Sequence, residues 1–242
     1  MDYKIDLHTH TLASGHAYNT IDEMVNEAKR KGMTHLGITE HAPKMPGTCH
    51  EFYFQNLKVV ERQRENLTLL LGSEVNIIDY EGNVDLPENL LKRLDIVIAS
   101  LHTPCIKPGN VEENTSALVG AMKKSYIHII GHPDDGRFPV DYETVVKAAK
   151  ETHTLLEINN NSLRPSGPRV GTRENDIRML KLCMEYEVPV IFGSDAHAAC
   201  DIGNFGMIQP LIEEVGFPKE LVANRSFEEI RALQKCKSIS IG

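Results

Sequence analysis

The chain has 242 residues, of which 41% are hydrophobic, and its formal net charge is −8. This length and composition suit a single domain over residues 1–242 with a sizeable core. The sequence contains no run of 18 apolar residues, so a membrane span is not expected. It has no charged-then-apolar leader, so secretion is not expected. Lysines and arginines form no long stripe, so nucleic acid is not an expected partner.

Short apolar runs alternate with helix-like stretches along the chain. Strands are predicted at residues 3–7, 34–39, 69–75, 95–101, 127–131, 154–159 and 189–194. Several are continuous apolar runs, which is typical of parallel strands buried on both faces. Helices are predicted at residues 20–32, 141–152, 173–186, 204–215 and 226–234. Thr20 with Glu23 reads as a capping box, Gly32 as a C-cap and Asp141 as an N-cap.

Repeated strand–helix units predict right-handed crossovers and a parallel sheet. Seven strands at about 35 residues per unit favour an α/β fold with a closed or nearly closed barrel. A doubly wound open sheet is the alternative. No Gly-x-Gly-x-x-Gly motif follows a strand, which weakens the nucleotide-binding version of that fold.

Cysteine and histidine usage bears on location and chemistry. Five cysteines are scattered without a Cys-x-x-Cys pair, which favours a reducing cytoplasm over a disulfide framework. The protein is therefore expected to be cytoplasmic. Eleven histidines are the most unusual feature of the composition.

Residues of metal-binding types stand at the ends of the predicted strands or in the loops beside them. They are His8, His10, His16, His41, Glu74, His102, His132, Asp195 and His197. In a parallel barrel the C-terminal strand ends converge on one face, where active sites lie. His8 and His10 are two residues apart on one strand and so point to the same side. Asp195 and His197 repeat that spacing on the last strand.

These nine side chains predict a metal centre, because burying so many ionisable groups together without metal would be costly. Imidazoles with a few carboxylates suit zinc, and also iron or manganese. Nine ligands are too many for one ion and close to what three ions need if a carboxylate bridges. The remaining histidines fall before or away from strand ends and are predicted to be structural or surface residues. They are His35, His50, His128 and His153.

Four motifs in this order resemble those of the PHP family, named for polymerase and histidinol phosphatase domains. They are Asp6-Leu7-His8-Thr9-His10-Thr11, Gly37-Ile38-Thr39-Glu40-His41, Gly131-His132-Pro133 and Gly193-Ser194-Asp195-Ala196-His197. Glu74 and His102 match the ligands between them, and the resemblance covers essentially the whole chain. The chain most resembles the stand-alone bacterial phosphatases of the YcdX type. That likeness implies a single PHP domain folded as a distorted (β/α)7 TIM-like barrel, and a homotrimer.

The resemblance also implies a trinuclear centre in which Glu74 bridges two of the ions. The ligand groups would be His8, His10, Glu74 and Asp195 for the first ion, Glu74, His102 and His132 for the second, and His16, His41 and His197 for the third.

The implied reaction is hydrolysis of the phosphate monoester of a small metabolite, such as histidinol phosphate, a nucleotide monophosphate or a sugar phosphate. A metal-bound hydroxide would be the nucleophile, so no serine or cysteine is needed for that role. Arg169 or Arg173, just beyond the sixth predicted strand, would clamp a phosphate or a distal anion of the substrate. Asn159 is a further candidate for substrate binding or for hydrogen bonding to the ligands.

Three other functions stay open. A nuclease ranks second, because related domains edit DNA inside polymerases but this chain lacks a polymerase body and a basic stripe. Amidohydrolases that cleave C–N bonds also begin with His-x-His, but they typically place a carboxylated lysine where this chain has His102. A non-catalytic metal-binding protein is the last alternative, and a full ligand set with open coordination would be unusual for it.

Overall fold

The computed structural model of the protein describes residues 3–233. Its strands are β1 (Ile5–Asp6), β2 (His35–His41), β3 (Gln63–Arg64), β4 (Leu67–Asn76), β5 (Ile96–Ser100), β6 (Ile129–Ile130), β7 (Leu155–Asn159) and β8 (Val190–Gly193). Seven of them pair in parallel in the order β1-β2-β4-β5-β6-β7-β8, and β3 is antiparallel to β4. The result is a nearly closed barrel, which confirms the predicted fold.

Helices follow most of the strands. They are α1 (Ile21–Arg30), α2 (Glu51–Asn56), α3 (Glu88–Leu91), α4 (Val111–Met122), α5 (Tyr142–Thr152), α6 (Thr172–Tyr186), α7 (Ile208–Val215) and α8 (Phe227–Leu233). The capping box of Thr20 and Glu23 starts α1 as predicted, and Gly32 follows its end in the left-handed conformation that glycine favours. Asp141 caps α5 as predicted.

The strands are buried on both faces, as their continuous apolar sequences predict. In β5, Ile96 and Ile98 belong to a small cluster inside the barrel. Val97 and Ala99 belong to the large cluster that includes residues of the surrounding helices. Side chains alternate between the two faces of a strand, so residues on both faces of β5 meet an apolar environment.

The first and last strands are joined largely by side chains. The Asn224 side chain accepts a hydrogen bond from the N–H of Phe192 at 2.7 Å. Its amide donates to the carbonyl of Ile5 at 2.9 Å and to that of Phe192 at 2.8 Å. Beyond these strands, the N–H of His10 donates to the carbonyl of Ala196 at 2.9 Å. These bonds bring the histidine motifs of the two chain ends together.

Asp6 supports the same seam. Its buried carboxylate accepts hydrogen bonds from the N–H groups of His8, Ser194 and Gly203. It therefore links the first strand to the segment after the last one. Its carboxylate oxygens are both engaged by backbone N–H groups.

Several elements differ from the predictions. β2 continues to His41, while α7 begins at Ile208 instead of residue 204. The predicted end of the last helix, at residue 234, lies outside the described residues. Helix α4 was not predicted, although Asn110 and Glu113 form a capping box at its start. Gly120 weakens its helical signal, and a Cβ there would lie 2.1 Å from the carbonyl oxygen of Glu81 in a packed loop.

Two further findings concern residues 3–233. No helix in that range has the length and apolar character needed to cross a membrane. The cysteines described there are free thiols, and the fifth, Cys236, lies outside the described residues. They are Cys49, Cys105, Cys183 and Cys200.

Candidate metal centre

The C-terminal strand ends bring the nine predicted ligands into one cluster, and Glu74 lies at its centre. Glu74 pairs in register with His41 on the neighbouring strand and is fully buried. Its carboxylate faces five imidazoles. The nitrogen–oxygen distances are 2.7 Å to His41, 2.9 Å to His132, 3.2 Å to His102, and 3.5 Å to His8 and His10.

The two oxygens of Glu74 face different histidines. Oε2 points to His8, His10 and His41. Oε1 points to His102 and His132. A carboxylate that divides its oxygens in this way has the geometry of a bridge between two cations.

Asp195 and His197 approach the cluster from the end of β8. Asp195 Oδ1 lies 3.4 Å from Nε2 of His10, 3.8 Å from Nε2 of His8 and 3.4 Å from Nδ1 of His197. Asp195 has a φ of 53° and His132 a φ of 31°. Such conformations of residues other than glycine cost about 1–3 kcal/mol and concentrate at functional sites.

His16 completes the cluster from the loop after the first strand. Its exposed ring lies 4.9 Å from the ring of His41 and 4.8 Å from that of His197, measured between centroids. The ring of His10 also lies near both of these rings, at 4.3 Å from His41 and 4.4 Å from His197. His16 therefore stands at the solvent side of the group.

Three overlapping triads have ligand atoms within 4.8 Å of one another. They are His8, His10 and Glu74, then His41, Glu74 and His102, then His10, His41 and His197. The predicted grouping and these triads agree on the central role of Glu74. They differ in the second triad, which contains His41 where His132 is predicted, and in the third, which contains His10 where His16 is predicted.

A second layer of polar residues, which the sequence analysis missed, fixes the orientation of the histidines. Glu157 on β7 accepts a hydrogen bond from Nδ1 of His8 at 2.6 Å. Its other oxygen accepts from the N–H of His132 at 2.8 Å and from the Asn159 amide at 3.0 Å. Because Nδ1 of His8 donates to this carboxylate, Nε2 is left as the ligand atom.

Asn76 does the same for His102. Its amide donates to Asp85 at 2.7 Å and to the carbonyl of Ala42 at 3.2 Å. Its oxygen therefore faces Nδ1 of His102, at 2.7 Å, and accepts the proton held there. Nε2 of His102 is left facing Glu74.

Ser14 orients His10. Its hydroxyl donates to Glu40 at 2.5 Å, and its oxygen lies 3.0 Å from both Nδ1 of His10 and the N–H of His41. Glu40 is fully buried and also accepts from Tyr53. Glu40 thus anchors the loop that carries Ser14 and belongs to the support of the site.

The unsatisfied atoms of the cluster fit divalent cations. These atoms are buried and have no aligned hydrogen-bond partner: His8 Nε2, His10 Nε2, His41 Nδ1, Glu74 Oε2, His102 Nε2 and His132 Nδ1. Buried polar atoms without partners are rare in native proteins. Five of these atoms face one another around Glu74, and their imidazole and carboxylate types match the donor set expected for zinc. The sixth residue, His132, instead faces Glu74 with its Nε2 atom.

The charge states of Glu74, Asp195 and His10 suit metal binding, whereas His8 would first have to lose a proton, because Glu157 and Glu74 raise its pKa well above the ordinary value against the effect of burial. Burial alone would raise the pKa of Glu74, but the imidazoles of His102 and His41 hold it well below its usual range. Burial likewise opposes ionisation of Asp195, but His8 and its neighbours keep that pKa well below the usual range. Burial lowers the pKa of His10 well below its ordinary value. Neutral imidazoles and ionised carboxylates are the forms that bind metal.

The three candidate substrate residues have different positions. Arg169 lines a cavity of about 480 Å³ over the cluster and donates to Asp195 from Nη1 and Nη2, both at 3.1 Å. Asn159 is fully buried behind the ligands and donates to Asp195 at 3.3 Å. Arg173 instead forms an exposed ion pair with Glu214 between α6 and α7. The structure therefore does not bring Arg173 to the site.

The four histidines predicted to be structural lie outside the cluster. His50 caps α2, and His153 ends α5 in a left-handed conformation. His35 stacks on Phe227, and His128 accepts a hydrogen bond from the N–H of Val97. These contacts confirm their assignment.

Two models of known protein families match the chain. The model described as "PHP domain" matches residues 6–163, which is more than half of the chain. The model described as "PHP-associated" matches residues 174–208.

Curated relatives match over nearly the full length. A probable phosphatase of Clostridium novyi is 48% identical over 98% of this chain and 96% of its own length. A probable phosphatase of Caldicellulosiruptor saccharolyticus is 50% identical over 94% of each chain. A probable phosphatase of Caldicellulosiruptor bescii is 48% identical over 97% of each.

Solved structures with low sequence identity share the fold. A histidinol phosphate phosphatase of Lactococcus lactis, solved with zinc, L-histidinol and phosphate, has a TM-score of 0.63 at 18% identity and covers 89% of this chain and 95% of its own. A chain in an archaeal ribonuclease P structure has a TM-score of 0.57 at 15% identity, covering 96% of this chain and 89% of its own. With the ligand cluster, the family models and the close relatives in agreement, the chain belongs to the PHP family.

Proposed function

We propose that the protein is a metal-dependent phosphatase that hydrolyses the phosphate monoester of a small metabolite. The observation that carries this proposal is the group of unpaired buried ligand atoms around Glu74, below a cavity of about 480 Å³. A cavity of this size falls within the range of small-molecule sites, about 300–1,000 Å³. The names of the close relatives support the activity, and the zinc and phosphate in the Lactococcus lactis structure support the chemistry.

The proposed centre holds three divalent ions, with zinc as the first choice and manganese or iron as alternatives. The proposed ligands are His8, His10, His16, His41, Glu74, His102, His132, Asp195 and His197. When bound, such ions would polarise the phosphate and lower the pKa of a coordinated water towards neutrality, which supplies a hydroxide nucleophile.

The protein residues would prepare this chemistry by holding each group in place. Glu157, Asn76 and Ser14 keep the Nδ1 atoms occupied, so that the Nε2 atoms of His8, His102 and His10 stay open. Arg169 restrains Asp195 through two hydrogen bonds. Arg169 also lines the cavity, where its N–H groups that do not face Asp195 would donate hydrogen bonds to a phosphate oxygen.

The test is to count the metal ions per chain by elemental analysis and to assay a panel of phosphate monoesters before and after chelation. The proposal expects chelation to abolish hydrolysis and added metal to restore it. His10→Ala and Asp195→Ala are expected to abolish activity and to lower stability, because metal binding is coupled to folding. Full activity of the stripped protein, or wild-type turnover in either variant, would refute the proposal.

We further propose that each chain acts as one domain and that the protein is a cytoplasmic homotrimer. Exposed apolar side chains support association, since Phe52 and Val59 line one surface groove and are 68% and 67% exposed. Light scattering on the purified protein measures the oligomeric state directly. A monomeric mass would refute the trimer.

A further inference from the structure

Arg137 is a second arginine at the metal cavity, and the sequence analysis did not select it. It lies in the loop after β6, five residues beyond His132. It lines the same cavity as His102, Arg169 and His197. A substrate whose phosphate meets the ligand cluster would therefore place its remaining atoms within reach of this loop.

A buried carboxylate holds the Arg137 side chain. Its Nε donates to Asp135 at 3.0 and 2.9 Å, and its Nη2 donates at 2.6 Å. The Asp135 side chain is only 3% exposed, whereas that of Arg137 is 31% exposed. Within residues 3–233, Nη1 of Arg137 has no hydrogen bond. One edge of the guanidinium is thus fixed, and the remaining N–H groups are open to a ligand.

Hydrogen bonds hold this loop against α6 and the segment before it. The N–H of Gly136 donates to the carbonyl of Val170 at 2.8 Å, and the Asn175 amide donates to the carbonyl of Asp134 at 2.8 Å. A Cβ at Gly136 would lie 2.6 Å from the Val170 oxygen, so the close approach requires glycine. Arg137 is therefore positioned before any substrate binds, which lowers the entropy cost of binding.

The charges around the cavity favour an anion at Arg137. The other arginine, Arg169, is only 12% exposed. Its Nη1 already contacts Asn159 and Ser162 besides Asp195. Asp195 is the one acidic residue among the described residues that line the cavity, and Arg169 neutralises it. Asp135 is likewise paired, with Arg137 itself, so the described residues around the cavity present no unpaired carboxylate that would repel a second anion.

We propose that Arg137 determines specificity by binding a second oxyanion of the substrate, so that the preferred substrates are phosphate monoesters carrying a carboxylate or a further phosphate. The planar fork of arginine suits both groups. This inference rests on the proposed phosphatase function, because the first phosphate must occupy the metal centre.

The test uses three probes of similar size: glycerol 3-phosphate, 3-phosphoglycerate and 1,3-propanediol bisphosphate. The first has no second anion, the second has a carboxylate, and the third has a second phosphate. Their inhibition constants are measured against p-nitrophenyl phosphate hydrolysis by the metal-loaded protein. Calorimetric titration of each probe gives an independent binding constant.

Arg137→Ala is compared with Arg62→Ala, a matched control. Arg62 is 29% exposed and pairs at 2.7 Å with Asp95, which is 3% exposed, but it does not line the metal cavity. Both variants leave a buried aspartate without its arginine. The double variant Asp135→Asn/Arg137→Ala removes that unpaired charge if the single variant folds poorly.

The wild-type protein is expected to bind at least one of the two probes that carry a second anionic group about tenfold or more tightly than glycerol 3-phosphate, in keeping with a charge-assisted pair. Arg137→Ala and the double variant should lose that preference, and Arg62→Ala should keep it. Equal weakening of all three probes would indicate a merely structural role and would overturn the inference, as would a wild-type protein without the preference. If the metal-loaded wild type hydrolyses no phosphate ester, the proposed function itself fails.

Discussion

Glu157 offers a direct way to perturb the support of the metal centre without removing a proposed ligand. Both of its oxygens act as acceptors, one for His8 and the other for the N–H of His132 and the amide of Asn159. The change Glu157→Gln keeps the size of the side chain but replaces one acceptor by a donor. Whichever way the amide is turned, one buried donor then faces another.

The cost of that conflict can be estimated. Leaving a buried donor unpaired costs about 1–3 kcal/mol, which corresponds to about 5- to 140-fold in an equilibrium constant. If the amide nitrogen faces His8, the proton of that imidazole is expected to move from Nδ1 to Nε2, and the ligand atom is lost. We therefore expect the affinity for the ion that His8 binds to fall about 10- to 100-fold, the range typical of residues that orient metal ligands.

The assay is a chelator competition titration that yields the metal dissociation constants of each variant. Glu143→Gln is the control, because Glu143 also accepts from two side chains, Lys147 at 2.6 Å and Tyr186 at 2.9 Å, but lies on the exposed face of α5. Wild-type metal affinity in Glu157→Gln, with both variants folded, would refute the role given to this hydrogen bond.

Three further predictions concern specificity, closure of the barrel and pH. Arg173→Ala should change kcat/KM by less than about twofold, because Arg173 lies outside the cavity and its exposed ion pair contributes little to stability. A tenfold loss of kcat/KM would show that Arg173 takes part in substrate binding. Asn224→Ala removes three buried hydrogen bonds from Asn224 to the first and last strands. It should lower the free energy of unfolding, measured by urea titration, by about 3 kcal/mol. A change below about 1 kcal/mol would contradict the role of Asn224 in closing the barrel. Burial lowers the folded-state pKa of His10 and His102, so the unfolded chain takes up protons first as the pH falls below about 6.5. These two histidines should therefore lower the stability of the chelated protein as the pH falls from about 7.5 to 5.5. His8, whose pKa is raised by Glu157 and Glu74 against the effect of burial, and Asp134, whose pKa burial raises to about 7, act in the opposite direction. His10→Ala is therefore expected to flatten the fall in the free energy of unfolding relative to the chelated wild type, and an equal or steeper fall would refute the assignment.

Periodicity explains why so much of the ligand cluster could be predicted. Parallel strands end at one face, and residues two apart share a side, so the motifs at His8 and at Asp195 had to converge once the barrel was predicted. The register between β2 and β4 explains a further contact, because His41 pairs directly with Glu74. These relations follow from strand geometry and need no side-chain detail.

Most of the supporting residues could not be found in the same way, because their partners are distant in sequence, although Ser14 lies only four positions from His10. Glu157 and His8 are 149 positions apart, and Asn76 and His102 are 26 positions apart. One usable signal exists for Glu157: it is a charged residue between Leu156 and Ile158, inside a strand predicted to be buried. A buried charge requires a partner, and the cluster of histidines was the nearest candidate.

Loops were the other source of error. Arg169 and Arg173 stand four residues apart, yet only Arg169 reaches the cavity, because Gly171 ends the loop and α6 carries Arg173 towards Glu214. Sequence spacing does not specify which way a side chain leaves an irregular segment. Arg137 was missed for the same reason, since its position depends on the contact of Gly136 with Val170.

The most direct test of the central claim is a paired measurement of metal content and phosphatase activity on one preparation. The proposed centre predicts about three divalent ions per chain, loss of monoester hydrolysis when they are removed by a chelator, and recovery when zinc or manganese is returned. Fewer than two ions per chain in the active protein, or full activity after complete stripping, would contradict it.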